Sequence, residues 1–103
     1  MRYSINLVQE PNQEFSCNLE RDGEIYICDM KLRTLSDGQL IADIEIDGDK
    51  QRSGVMCQDR MPLLYTDKYG MLYFEDQYGT QSPTYEGLGE RYLLIYNTEY
   101  SLG

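Results

Sequence analysis

Phe15-Ser16-Cys17-Asn18-Leu19-Glu20-Arg21-Asp22-Gly23-Glu24-Ile25-Tyr26-Ile27-Cys28-Asp29-Met30 carries the fold in miniature. Phe15, Cys17 and Leu19 alternate with polar neighbours before Asp22-Gly23, and Tyr26, Cys28 and Met30 share one face after it. Such a period of two marks strands with one dry and one wet face. Asp-Gly is a strong two-residue hairpin signal, because the turn that matches strand twist needs positive φ at both loop positions. With Asp22-Gly23 as the loop, Leu19 faces Tyr26, Cys17 faces Cys28 and Phe15 faces Met30. Inward residues meet only inward residues, so the register checks itself: a slip of one would turn a whole strand over.

The same test extends outward. Leu32 continues the face of Tyr26, Cys28 and Met30, and Leu40, Ala42, Ile44 and Ile46 alternate with Gln39, Asp43, Glu45 and Asp47. A two-residue loop at Asp37-Gly38 would set Leu32 against Asp43. A three-residue loop, Ser36-Asp37-Gly38 with Gly38 left-handed, sets Leu32 against Ala42 and Met30 against Ile44, and this form is expected. The turn around Asp47-Gly48-Asp49 leaves its register open, since Val55 and Cys57 are the only apolar guides after it. Upstream, Tyr3, Ile5 and Leu7 form a further alternating stretch.

The second half is less regular. Met61-Pro62-Leu63-Leu64-Tyr65 carries a proline and reads as a bent crossing or edge strand. Met71–Glu75 is a short strand, Gln77–Glu90 a loop over the surface (Gly79, Pro83, Gly87, Gly89), and Tyr92–Tyr96 a closing apolar strand. No window supports a helix of ten or more residues. The expectation is all-β: a single small antiparallel barrel or sandwich of about six to eight short strands joined by hairpins. Residues 1–97 form the domain and 98–103 a flexible tail.

Composition narrows the function. The chain has 103 residues, 18 acidic against 9 basic, a net charge of −9, no His, no Trp, and ten Tyr against two Phe. Without histidine, Ser-His-Asp, Cys-His and His-ligated metal chemistry are closed. The acidity repels phosphate backbones, so nucleic acid is not an expected partner. No run of 18 apolar residues exists, so no membrane span is expected. Met1-Arg2-Tyr3-Ser4-Ile5 lacks the apolar run of a signal peptide, which suggests the cytosol or something assembled there. Cys17, Cys28 and Cys57 are an odd set without a CxxC, and read as buried reduced thiols rather than disulfides or a zinc site.

Candidate chemistry is thin. Asp43-Ile44-Glu45-Ile46-Asp47-Gly48 resembles the start of a calcium loop, but its twelfth position is Gly54 where a bidentate Glu is needed, and its flanks are strands. Glu20 with Asp22 and Glu75 with Asp76 are carboxylate pairs of the glycosidase type, but such pairs need a cleft that a small meandering sheet rarely provides, and they read as a solvated acidic face. No phosphate loop, nucleophile elbow or metal motif is present. No catalytic residue, metal or cofactor is therefore expected. The tyrosines say more, since a tyrosine buries an apolar body while its hydroxyl tolerates water. Strand period assigns Tyr92 and Tyr96, which share a face with Leu94, to the core, and leaves Tyr69, Tyr78 and Tyr85 in loops as contact candidates.

An ordered series of short motifs points further: Pro11-Asn12-Gln13-Glu14-Phe15; Val55-Met56-Cys57 leading to Pro62-Leu63-Leu64-Tyr65; Tyr69-Gly70 before Leu72-Tyr73-Phe74; Pro83-Thr84-Tyr85 before Leu88-Gly89; and Arg91–Tyr96. From about Ile5 to Tyr96 this resembles the small baseplate plug proteins of contractile-tailed bacteriophages. The stretch between Tyr65 and Leu72 is less glycine-rich than that family suggests. The resemblance implies a non-enzymatic virion protein at the baseplate hub, on the tail axis, helping to close the tube end. Its partners would be the hub and neighbouring tail proteins, with several copies around the axis. It also implies turn-forming or contact roles for Asn12, Phe15, Pro62, Leu63, Leu64, Tyr69, Gly70, Tyr85, Leu88 and Gly89; Tyr78 joins them from the tyrosine argument. Two alternatives remain. One is an acidic DNA mimic with Asp43, Glu45 and Asp47 in a row, each step about 6.7 Å. The other is a carbohydrate-binding module stacking sugars on exposed tyrosines.

Overall fold

The computed structural model describes residues 2–99. They form eight strands: β1 (Arg2–Ile5), β2 (Asn12–Arg21), β3 (Glu24–Thr34), β4 (Leu40–Ile46), β5 (Asp49–Met56), β6 (Pro62–Thr66), β7 (Gly70–Asp76) and β8 (Tyr92–Asn97). Two four-stranded antiparallel sheets result, ordered β1-β8-β7-β6 and β2-β3-β4-β5. Of the two architectures expected, the chain adopts the sandwich. The chain crosses between sheets twice, after β1 and after β5, leaving a seam at each side.

The first hairpin forms in the expected register, with Leu19 opposite Tyr26, Cys17 opposite Cys28 and Phe15 opposite Met30. Asp22 and Gly23 take φ of 53° and 81°, as a type I′ loop requires. The second hairpin pairs Leu32 with Ala42 and Met30 with Ile44. Leu35 N–H reaches Gln39 C=O at 2.8 Å, and Gly38 N–H reaches Leu35 C=O at 2.9 Å with φ of 91°. That is the three-residue loop with a left-handed glycine. The third turn, open from sequence, is a tight Asp47-Gly48 loop with Ile46 opposite Asp49. Beyond it, register shifts between Ala42 and Ile44 and between Ile44 and Glu45 bend β5. At the first shift Gly54, at φ 63°, donates its N–H to Asp43 Oδ1 at 2.6 Å.

Leu19, Leu32, Leu40, Ile44 and Ile46 from one sheet bury against Leu63, Leu72, Phe74, Leu94 and Tyr96 from the other. Tyr92 and Tyr96 lie in this core with Leu94, as strand period required. The three cysteines are free thiols; Cys28 and Cys57 are buried and Cys17 is half-buried. Burial pushes the Cys57 thiol up to about 12. The expected surface course of Gln77–Glu90 holds only in part. It contains one 3-10 turn, Tyr85–Gly87, and sends Pro83 and Leu88 into the interior. Most of the expected tail over 98–103 lies outside the described residues.

Candidate interface

Topology sorts the connections to two ends of the sandwich. One end carries the tight turns at 22–23, 47–48 and 67–69. The other carries the longer connections at 6–11, 35–39, 57–61 and 77–91. Only at the second end is there enough chain to shape a surface.

That surface is built on one buried carboxylate. Asp76, 2% exposed, ends β7 and is gripped in bidentate fashion by Arg91, Nε to Oδ1 at 2.9 Å and Nη2 to Oδ2 at 3.0 Å. It also accepts the N–H groups of Tyr78 and Gln81, each at 2.9 Å. Buried charge is tolerated when paired and hydrogen-bonded in this way. The Arg91 hydrogen bonds, helped by those two N–H groups, hold the Asp76 carboxyl well below the usual carboxylate range against the opposing effect of burial. Both ends of 77–91 are thus tied to one point, and Gln77 N–H adds a bond to Arg91 C=O at 2.8 Å.

Neighbouring connections lean on this node. Asp59 Oδ1 accepts the N–H of Asp76 at 2.8 Å while Oδ2 pairs with Arg60 at 2.5 Å. Arg60 sits at φ 57°, a left-handed conformation rare outside glycine, and its guanidinium reaches Gly79 C=O at 3.2 Å and Glu75 at 3.5 Å. On the 6–11 connection, Gln13 Nε2 donates to Val8 C=O at 2.8 Å. A Cβ on Gly89, at φ 82°, would lie 3.1 Å from Leu7 C=O, so 77–91 rests directly on that connection.

Exposed at this end of the sandwich are Val8 (57%), Leu35 (40%), Met56 (43%) at the end of β5, Met61 (53%) and Tyr78 (80%). The remaining large apolar side chains exposed among the described residues, Ile25 and Ile27, lie on β3 toward the tight-turn end. Apolar groups gathered at one end and rimmed by polar residues mark a protein contact surface.

Residues 2–99 match a family described as "Cyanophage baseplate Pam3 plug gp18". The chain belongs to this baseplate plug family. No curated protein matches it. It is therefore a structural virion protein of a phage tail baseplate, working in association with other baseplate and tail proteins.

In this plug protein, Asn12, Pro62, Tyr78, Tyr85, Leu88 and Gly89 come together at the loop end, and Tyr69 and Gly70 lie at the other. Tyr78 and Gly89 are exposed. Asn12 is exposed but accepts Thr34 N–H at 3.4 Å, and Phe15, Pro62 and Tyr85 are half-buried. Leu63, Leu64 and Leu88 are at most 2% exposed and belong to the core. Tyr69, expected in an exposed loop, is also buried: its ring meets Tyr26 edge-on at 4.9 Å, because the chain after Asp67-Lys68 turns back over the sheet. Tyr96 hydroxyl donates to Tyr69 C=O, and Gly70, at φ 91°, sits against Asn97 C=O. For these buried residues the fold-defining role is the one the geometry supports.

Sequence reasoning passed over Val8, Leu35, Met56 and Met61. Their signal was an apolar residue inside or beside a polar connection, away from the alternating pattern. The acidic row of the DNA-mimic reading is broken up. Asp43 pairs with Arg33 at 3.3 Å, Glu45 lies opposite Lys50, and Asp47 leaves the strand for the turn, where its carboxylate accepts Ile27 N–H at 2.9 Å.

Proposed function

We propose that this plug sits at the central axis of a contractile tail and helps close the tube end, without catalysis, by seating its loop end against the baseplate hub. The observation that carries the reading is the concentration of Val8, Leu35, Met56, Met61 and Tyr78 at one end, where Asp76 and Arg91 brace the two connections that carry Met61 and Tyr78. Apolar and aromatic side chains on a pre-shaped surface lose little conformational freedom on docking. In this reading several copies surround the axis, assembly takes place in the host cytoplasm, and neither nucleic acid nor membrane is bound. Cryo-electron microscopy of intact particles tests the position, and particle incorporation tests the surface. Met61→Glu with Tyr78→Glu is expected to abolish incorporation, while Ile25→Glu with Ile27→Glu at the other end leaves it intact. The reverse pattern, or density away from the axis, refutes the proposal.

A further inference from the structure

The four sheet edges are not alike. β1 is four residues long, β6 carries Pro62 and a register shift, and β5 is bent by two shifts and Gly54. Devices of this kind keep foreign strands away. β2 has none of them: ten residues pair with β3 without a break, and among the described residues no strand lies on its other side.

The Asp22-Gly23 turn decides which backbone groups face that open side. Arg21 and Glu24 close the loop, so the odd-numbered residues of β2 bond to β3 and Glu14, Ser16, Asn18 and Glu20 point their N–H and C=O groups outward. The Tyr3 hydroxyl donates to Asn18 C=O at 3.3 Å and approaches the Glu20 backbone, which covers the far half of the edge. Around Glu14 and Ser16 no strand or ring of the described residues caps the edge. On the inner side the seam is incompletely closed, with Ile5, Leu7, Phe15 and Cys17 only half-buried against the core. On the outer side stand Glu14, Glu20 and Asp29, with Lys31 facing Glu14 at 3.9 Å.

We infer that β2 is a docking edge for an extended segment of another protein, antiparallel or parallel, whose residues alternate between apolar and basic. Its backbone would pair with Glu14 and Ser16, its apolar side chains would complete the cover over Phe15 and Cys17, and its cations would meet Glu14, Glu20 and Asp29. Strand addition of this type draws affinity from main-chain bonds and selectivity from alternate side chains. A second copy of this chain fits poorly. Each copy carries −9, and pairing two β2 edges about Cys17 sets Glu14 against Glu20.

The test uses the full chain and two acetylated nine-residue peptides, one alternating Lys and Val, the other Glu and Val. With 15N-labelled protein, the Lys-Val peptide is expected to shift and protect the Glu14 and Ser16 amides, and the Glu-Val peptide to leave them unchanged. Ser16→Pro removes an outward N–H while sparing the ladder to β3, and is expected to weaken binding at least tenfold. Glu14→Lys with Glu20→Lys keeps the backbone and is expected to exchange the peptide preference, which preserves the test should the proline variant fail to fold. Undiminished binding to Ser16→Pro, shifts located elsewhere, or an unchanged preference in the charge-reversed variant overturns the inference. So does concentration-dependent self-association of the wild type that Ser16→Pro abolishes, because it would name a second copy as the occupant.

Discussion

Gly70 distinguishes a residue kept for its contacts with a partner from one kept by the fold. It is buried at the start of β7 with φ of 91°, and a Cβ built there would stand 2.7 Å from Asn97 C=O. Gly70→Ala therefore meets two costs. Left-handed backbone costs an L-residue about 1–2 kcal/mol, and forcing a methyl into close packing adds about 1–3 kcal/mol. Gly23→Ala separates them, because Gly23 has a similar φ of 81° and nothing within 4 Å of its would-be Cβ. The comparison predicts that Gly70→Ala is less stable than Gly23→Ala by about 1–3 kcal/mol. Each of those corresponds to a melting shift of about 4–8 °C in a domain near this size. Urea unfolding followed by tyrosine fluorescence and far-ultraviolet circular dichroism measures both variants, and the dependence on denaturant should stay the same if only the folded state is touched. Equal stability of the two alanine variants would refute the steric argument. A fully stable Gly70→Ala that no longer enters particles would make Gly70 a contact residue after all.

Three further outcomes follow from the buried polar groups. Tyr96→Phe strands the Tyr69 carbonyl that its hydroxyl serves, and should cost about 1–3 kcal/mol in urea unfolding. Burial pushes the Tyr96 phenol up to about 12, whereas in the unfolded chain it ionises near 10; stability from this group is therefore whole below pH 10 and lost between 10 and 12. Thermal melts across that range should fall more steeply for the wild type than for Tyr96→Phe, and parallel curves would contradict the assignment. At the acid end the sign reverses. The Asp76 carboxyl is held down chiefly by its hydrogen bonds from Arg91, so its contribution is present above about pH 4, the unfolded value, and is lost as pH falls toward the depressed folded value. Asp76→Asn should lower the melting temperature at pH 7 and flatten the decline on acidification; an unchanged profile would deny Asp76 its structural role. Finally, a thiol reagent at neutral pH should leave Cys28 and Cys57 unmodified in the native protein, since the hydrogen bond with Cys17, with burial, keeps the Cys28 thiol protonated and burial alone does so for Cys57. Rapid labelling of all three cysteines would show an interior far more open than the one described.

The two tight hairpins on β3 were legible because two independent signals agreed there: the period of two, and turn residues able to take positive φ. The next hairpin was not, and its bulges explain why. Asp43 has Ser53 and Gly54 to face rather than one residue, and Gln51 is extra beside Ile44 and Glu45. A pattern that counts in twos loses its place at each insertion. Tyr69 misled for a different reason. Between Asp67-Lys68 and Gly70 it has the local composition of a loop, and only its distant neighbours Tyr26 and Tyr96 make it interior. Asp76 misled most, because a carboxylate destined for a buried clamp looks in sequence like any member of an acidic face. Its partner Arg91 lies at the far end of 77–91, a separation at which no short-range pattern connects them.

The cost of that clamp bears on what the loop end is for. Adjacent antiparallel strands such as β7 and β8 need only two residues to join them, yet residues 77–91 intervene here. Ordering extra backbone is opposed by about 1–2 kcal/mol per residue, and an internal ion pair often adds less stability than well-packed apolar side chains of the same volume. Stability alone would favour a shorter loop with an apolar anchor. What Asp76 and Arg91 supply instead is position. Two parallel hydrogen bonds fix the Arg91 plane, two backbone N–H groups fix the turn at Tyr78 and Gln81, and Asp59 with Arg60 joins the neighbouring connection to the same point. A surface held to this degree suits docking against a rigid neighbour, and Tyr78 stands on it two residues from the clamp, 80% exposed. Loosening the clamp while sparing the contact residues should therefore impair incorporation more than a core substitution of equal thermal cost. Arg91→Lys keeps the charge but not the fork, and Leu94→Val trims the core nearby. Equal incorporation of these two variants at matched melting temperatures would reduce the clamp to an ordinary stabilising feature.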